Sequence, residues 1–261
     1  MPDQALQRLF PDHQPVPLED AYETLGLAER AREDRPYVIA NMVSTADGRA
    51  TLSGRTKSIS SEADRALFHE LRGQVDAIMA GTATIAIEGY GPLVRDPDRR
   101  QKRVERGLEP VPVAVTASRS MELPVQAPLF QDPGSRIIVL TGSERKAPDA
   151  PAHVTVECLP AAGTSELDLV AGMESLRGSH GIRTLLLEGG PTLLGAMLEA
   201  SLVDELFLSL APLVVGGAAE VGIVESASRP RPLELELLGV LEDEGFLFLR
   251  YAIGPATGQQ G

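Results

Sequence analysis

"LLLEGGPTLLG" spans residues 185–195. Three leucines make a short apolar run, Glu188 interrupts it, Gly189 and Gly190 free the backbone, and Pro191 opens a second apolar stretch. Proline suits the first helical position, because its missing N–H would find no partner there anyway. The stretch reads as a buried strand handing over to a helix. Glu188 and the glycines have two readings. One is punctuation between elements. The other is a site, where N–H groups at a helix start, aided by the helix dipole, take an anion. Glycines without Cβ then let a phosphate approach.

The same alternation runs through the flanking chain. "RTLLLE" (183–188) is a strand and "PTLLGAMLEAS" (191–201) a helix; "DELFLSLAP" (204–212) is the next strand. "LELELLGVLEDEGFLFLRYA" (233–252) reads as two strands around an acidic Gly turn. Upstream, "YVIANMV" (37–43), "VDAIMAG" (75–81), "VPVAVT" (111–116), "RIIVL" (136–140) and "VTVECL" (154–159) are strand-like. "SSEADRALFHELRG" (60–73) reads as a helix capped by Ser60 or Ser61, and "SELDLVAGMESLRG" (165–178) as a second capped helix. "RDPDRRQKRVERG" (95–107) is a loop or an exposed helix, and "GTATIAIEGYGPLVR" (81–95) a Gly-rich loop. Residues 1–35 form an N-terminal extension, a docked arm with helical spacing over 18–33. Strands alternating with helices, closed by a hairpin, predict an α/β layered fold: a mostly parallel sheet with an antiparallel C-terminal hairpin.

Composition narrows the function classes. The 261 residues are 43% hydrophobic and 23% charged, enough for one large domain with a proper core. The net charge of −13 repels polyanions, and with no Trp and few aromatics there is little to stack on bases. Nucleic acid and anionic membranes are therefore poor partners. Cys158 is the only cysteine, which rules out an intrachain disulfide and fits a reducing cytoplasm. The N-terminus has no basic or apolar region of a signal peptide, and no apolar run is long enough to span a membrane. The four His residues are scattered with no zinc spacing, and neither a Walker loop nor a G-x-S-x-G elbow is found.

Three further stretches carry polar groups. "STADG" (44–48) follows the first strand and reads by itself as a D-G turn. "GRTKSIS" (54–60) is an anion-facing loop or a solvated surface. "VTASR" (115–119) ends a strand with Thr116, Ser118 and Arg119, a combination able to hold an adenosine ribose and its 2′-phosphate, or simply a solvated loop.

In order and spacing, "STADG", "GRTKSIS", "HELRG", "VDAIMAGTAT", "IEGYGPLVR" and "LEGGPTLLGAMLEASLVDELFLSLAPLVVGG" resemble one family. It is the reductase domain of the bifunctional riboflavin-biosynthesis deaminase/reductase, with its stand-alone pyrimidine-reductase relatives. The resemblance covers roughly residues 36–252. It implies a dihydrofolate-reductase-like three-layer α/β/α fold over 36–254, followed by a flexible tail at 255–261. It also implies a homodimer, NADPH as cofactor, and no metal or flavin. The implied reaction is hydride transfer to C1′ of a ribosylamino-pyrimidine 5′-phosphate such as 5-amino-6-(5-phosphoribosylamino)uracil. A related pterin or dihydrofolate-type substrate, or a non-catalytic nucleotide-binding relative, is the alternative.

Carried over residue by residue, Val43, Ser58, Thr84, Glu88 and the run Gly189, Gly190, Pro191, Thr192, Leu193, Leu194, Gly195 and Ala196 fall on the cofactor side. Thr56, Arg72, Pro92, Arg95 and Glu188 fall on the substrate side, with Arg72 and Arg95 suited to a sugar phosphate. Asn41, Glu88 and Glu188 are the catalytic candidates. Two departures stand out. Asn41 replaces the Lys of the bifunctional enzymes, and the usual acidic D-D-P loop reads "EGYGPL" here. The deaminase zinc signature is absent from the sequence, so the expected chemistry is the reductase step alone.

Overall fold

The computed structural model describes residues 5–23, 25–52, 54–164, 166–217, 221–226 and 232–254. The 255–261 tail lies outside the described residues. Eleven strands form one sheet: β1 (Ala5–Phe10), β2 (Gln14–Pro17), β3 (Tyr37–Thr45), β4 (Ala77–Met79), β5 (Val113–Ala117), β6 (Arg136–Thr141), β7 (His153–Cys158), β8 (Thr184–Leu187), β9 (Glu205–Ala211), β10 (Leu235–Asp243) and β11 (Phe246–Ile253). The helices are α1 (Glu62–Arg72), α2 (Thr82–Glu88), α3 (Pro97–Glu105), α4 (Pro128–Gln131), α5 (Leu169–Gly178) and α6 (Pro191–Glu199).

The strand order is β2-β1-β10-β11-β9-β3-β8-β4-β5-β6-β7. From β9 to β7 every pairing is parallel, and from β9 to β2 every pairing is antiparallel. This is the α/β architecture expected from the alternation. The C-terminal hairpin is not the last pair, however, because β1 pairs with β10 and carries the sheet two strands further.

Side-chain alternation on β3 sends residues to two cores. Ile39 packs with Leu67 and Leu71 of α1 and with Phe130 of α4. Val38, Ala40 and Met42 pack with Met173 and Leu176 of α5 and Leu194 and Met197 of α6. Helices thus cover both faces of the parallel half. On the antiparallel half, Tyr22, Leu25 and Leu27 of the arm cover the first of these faces, where Tyr22 meets Phe207 edge-on at 5.3 Å.

Two local expectations are corrected. Residues 18–33 are not a helix but two single 3-10 turns, Leu18–Asp20 and Ala28–Arg30. Gly26, at φ +58°, breaks the segment, and Arg30 and Arg32 reach across to Glu205 and Asp204. Conversely, part of the 81–95 loop is α2, closed by Gly89 in the left-handed region at φ +64°. The 95–107 stretch resolves to a helix, α3, with Asp96 as its N-cap. Its Arg103 is fully buried and donates to the carbonyls of Arg72 and Val75, closing the end of α1.

Candidate active site

One open cleft of about 1780 Å3 lies at the carboxyl ends of β3, β4, β5 and β8, where open α/β sheets bind their ligands. A single small ligand fills roughly 300–1,000 Å3, so there is room for two. The segments after β4 and β8 are neighbours because the strands are, and they come into contact at Gly190. A Cβ on Gly190 would lie 3.5 Å from the Gly81 Cα and from the Thr84 Oγ1. Gly189 and Gly190 both have positive φ, +97° and +89°, a region that penalises any other residue.

Gly190 is the N-cap of α6 and supplies no side chain to cap it. The first N–H groups of a helix have no partner within it, and a turn of this kind can receive an anion. Thr192 Oγ1 donates to Glu225 Oε2 at 3.1 Å, and the Glu225 N–H donates to the Pro191 carbonyl at 3.0 Å. Gly195 permits this arrangement, since a Cβ there would collide with the Glu225 backbone.

On the other side of the same turn stands Glu188, buried at 6% exposure. Arg72, the last residue of α1, grips it bidentately: Nε to Oε1 and Nη2 to Oε2, both at 2.6 Å. Arg72 also donates to the Leu93 carbonyl at 3.0 Å and stacks on Phe68, 4.4 Å from the ring centroid. The Tyr90 hydroxyl donates to Glu188 Oε2 at 2.9 Å. Burial works against the Arg72 charge, and Glu188 more than compensates, so the guanidinium sits above its ordinary pKa. Burial of the Tyr90 hydroxyl, then the charge of Glu188, raise that phenol well above its usual value. Nearby, partial burial and the charges of Arg72 and Arg99 lower the His69 imidazole to about 4.

Of the residues singled out in the sequence, Asn41, Val43, Thr56, Arg72, Thr84, Glu88, Pro92, Arg95, Ser118, Arg119, Glu188, Gly189, Gly190, Pro191, Thr192, Leu193 and Ala196 line the cleft. Four lie elsewhere. Leu194 packs in the core, and Gly195 faces the backbone of Glu225. Ser58 is exposed on the turn before α1. Thr116 is fully buried and donates to the Ala80 carbonyl at 2.8 Å, holding β5 to the end of β4.

Thr56 and Glu88, assigned to opposite sides of the site by the resemblance, are bonded to each other. Thr56 N and Oγ1 both donate to Glu88 Oε1, at 3.3 and 3.0 Å. Arg72, paired in sequence with Arg95 as a phosphate ligand, is instead engaged by Glu188. Arg95 is exposed and has no ion pair among the described residues. Arg119 is exposed beside Glu166, at 3.7 Å. The "STADG" turn is a structural fastening: Asp47 accepts from Thr45 Oγ1 and from the N–H groups of Val215 and Gly216. Those bonds lower its carboxyl to about 2. No cluster of His, Cys, Asp or Glu suited to a metal is present among the described residues, and no described helix is long and apolar enough to cross a membrane.

Fold and cleft together define the chain as an open α/β domain with its cleft at the carboxyl ends of parallel strands. More narrowly, the family model of the RibD C-terminal domain matches residues 36–245, and the chain belongs to that family. It is 36% identical over 184 residues to the 2,5-diamino-6-ribosylamino-4(3H)-pyrimidinone 5′-phosphate reductase of Methanothermobacter thermautotrophicus, covering 70% of this chain and 81% of that one. The enzyme of the same name from Archaeoglobus fulgidus is 28% identical over 215 residues, covering 81% and 96%. Among solved structures, a pyrimidine reductase-like protein from Corynebacterium diphtheriae shares the fold with a TM-score of 0.74 at 23% identity, covering 92% of this chain and all of that one.

Proposed function

We propose that the chain is an NADPH-dependent reductase of a ribosylamino-pyrimidine 5′-phosphate in riboflavin biosynthesis. One observation carries the reading: a single strand–helix turn presents an uncapped, glycine-lined helix start on one side and a buried carboxylate with acceptor capacity on the other. The first suits a dinucleotide pyrophosphate. The second suits the N–H or O–H groups of an aminopyrimidine or its sugar. The relatives named for the diaminopyrimidinone substrate support the same reading.

NADPH, when bound, supplies a hydride for C1′ of the sugar. Opening the ring breaks the C1′–O4′ bond and requires one proton at O4′. The chain's residues bind and orient. Gly189, Gly190 and the first N–H groups of α6 hold the pyrophosphate, and Ser118 and Arg119 face the adenosine end, with Arg119 meeting a 2′-phosphate. Glu188 accepts a hydrogen bond from the substrate. Arg95, with no ion pair among the described residues, takes the substrate phosphate. Arg72 holds Glu188 in place.

The active unit is a homodimer. Leu206, Leu208, Leu247, Leu249, Leu235 and Leu237 share one face of β9, β11 and β10; Leu235 and Leu237 are exposed and the other four are half-buried. Leu206 and Leu208 also pack against the core cluster that includes Met197 of α6, but Leu235 and Leu237 remain exposed, and an apolar face of this kind marks an association site. A second copy presenting the same face would bury both. Sedimentation of wild type as a monomer at micromolar concentration would refute this.

The functional test is NADPH oxidation with 2,5-diamino-6-ribosylamino-4(3H)-pyrimidinone 5′-phosphate, its deaminated uracil counterpart and dihydrofolate, in parallel. Turnover of a phosphorylated pyrimidine is expected. Turnover of dihydrofolate alone, or of none of the three, would reject the assignment.

A further inference from the structure

Tyr90 lies in the loop where "EGYGPL" replaces the family's acidic pattern, and nothing in the sequence links it to Glu188, 98 residues away. In the folded chain it is part of the carboxylate's immediate setting. A carboxylate has about four lone-pair sites, two on each oxygen. On Glu188, Oε2 accepts from Arg72 Nη2 and from the Tyr90 hydroxyl, which fills it. Among the described residues, Oε1 accepts only from Arg72 Nε, which leaves one site. The Arg72 guanidinium lies 5.4 Å from the Tyr90 ring centroid, so the ring also backs the cation that grips the carboxylate.

We infer that Tyr90 is a positioning residue, which saturates Oε2 of Glu188 so that the carboxylate offers a single acceptor, on Oε1, to one N–H or O–H of the substrate. The inference rests on the proposed function, in that the substrate occupies this cleft. It also fixes what Tyr90 does not do. Its proton is committed to Glu188, and burial with a neighbouring negative charge makes the phenol a poorer acid, so Tyr90 is not the source of the proton for O4′. The chemical class read at this point is a neutral donor, an amino or hydroxyl group. A substrate oxygen carrying negative charge would be repelled.

The test is Tyr90→Phe, which keeps the ring over Arg72 and removes only the hydroxyl. The measurements are NADPH affinity by fluorescence titration, unfolding midpoint, and kcat and KM for whichever pyrimidine phosphate the wild type reduces. With the second site on Oε2 free, the carboxylate can turn and pair with the substrate in more than one way. Misplacement of a reacting group by about 1 Å costs up to roughly 100-fold; loss of one orienting bond should lower kcat by about 10-fold, with KM and NADPH affinity nearly unchanged. A purely structural tyrosine would lower the unfolding midpoint and leave kcat per folded molecule intact, and that result overturns the inference. An equal rise in KM with constant kcat overturns it as well. Absence of pyrimidine turnover by the wild type is a different failure: it rejects the proposed function and takes this inference with it.

Discussion

Two Arg–carboxylate clusters lie at opposite ends of the parallel strands, built from the same parts. At the closed end, Asp204 accepts from Arg32, twice from Arg35, and from the Val38 N–H. Beside it, fully buried Glu205 accepts from Arg30, Tyr37 and twice from Arg250. At the open end, Glu188 accepts twice from Arg72 and once from Tyr90. In both places a tyrosine hydroxyl and a bidentate arginine hold a buried carboxylate. The difference is the donor count. Asp204 receives four donors, two on each oxygen, and has nothing left for a ligand. Glu188 receives three and borders a cleft. A buried ion pair becomes a staple or a site according to its unfilled acceptor and what that acceptor faces, not according to the residues used.

This contrast is breakable by mutation. The largest effect is expected at the closed end. Asp204→Ala strands Arg35 and Arg32, and breaking a buried pair by removing one partner costs about 3–5 kcal/mol. Denaturant unfolding should show that loss, while turnover per folded molecule stays at the wild-type level. A stable but inactive variant would erase the distinction between the two ends.

The open end should show the reverse: function lost, fold kept. Arg95→Ala removes an exposed guanidinium with no ion pair among the described residues, so stability should not change. A hydrogen bond to a charged group contributes roughly 1.5–3 kcal/mol, or about 10- to 100-fold in kcat/KM. The loss should appear with the phosphorylated pyrimidine and not with its dephosphorylated form. Equal losses on both would remove Arg95 from the phosphate site.

Gly190→Ala probes the helix start. At φ +89° the new Cβ is strained, at a cost of order 1–3 kcal/mol, and it stands where the pyrophosphate must approach. NADPH affinity should fall by about 10-fold or more with circular dichroism unchanged. Retained affinity in the folded variant would move the cofactor away from this turn.

The smallest effect concerns His69, beside Arg72. Its pKa is about 4 when folded, against 6.5 for a free imidazole. Between those values the unfolded chain binds more protons, so stability declines as pH falls from about 6.5 towards 4 and is level above 6.5. Water reaches much of this side chain and screens the interaction, so the slope is shallow. His69→Gln should flatten it and leave stability at pH 7 unchanged. A steeper acid-side decline in the variant would contradict the sign.

Much of the fold was legible because its signals are local. Ser61 caps α1 by accepting from the Asp64 N–H, and Pro191 opens α6, both at positions the sequence marks. The leucines of β8 and the alternating residues of β9 announce their burial by period alone. What escaped depends on distance. Helix α2 is rich in β-branched residues, Thr82, Thr84, Ile85 and Ile87, which weaken a helical signal. The arm's helical spacing lost to Gly26 and to the pull of two buried carboxylates. The cleft segments were found by motif, but motifs do not carry partners. Neither the Thr56–Glu88 bond nor the Arg72–Glu188 grip can be read from residues 32 and 116 positions apart. Thr116 shows the converse, a polar residue at a strand end that serves a neighbouring carbonyl rather than a ligand.

The outermost strand has its own consequence. Gln14–Pro17 pairs with β1, and its Pro15 and Pro17 point in the same direction along the ladder. Proline has no N–H to give, so the prolines must occupy the outward positions for the inner pairing to form. The border of the sheet therefore lacks donors that an arriving strand would need. In polymer language the arm is a chain terminator: it extends the sheet by two strands and then stops growth on that side. Without it, β10, nine residues long from Leu235 to Asp243 and carrying exposed Leu235 and Leu237, would be the border, a living end to which any extended segment could add.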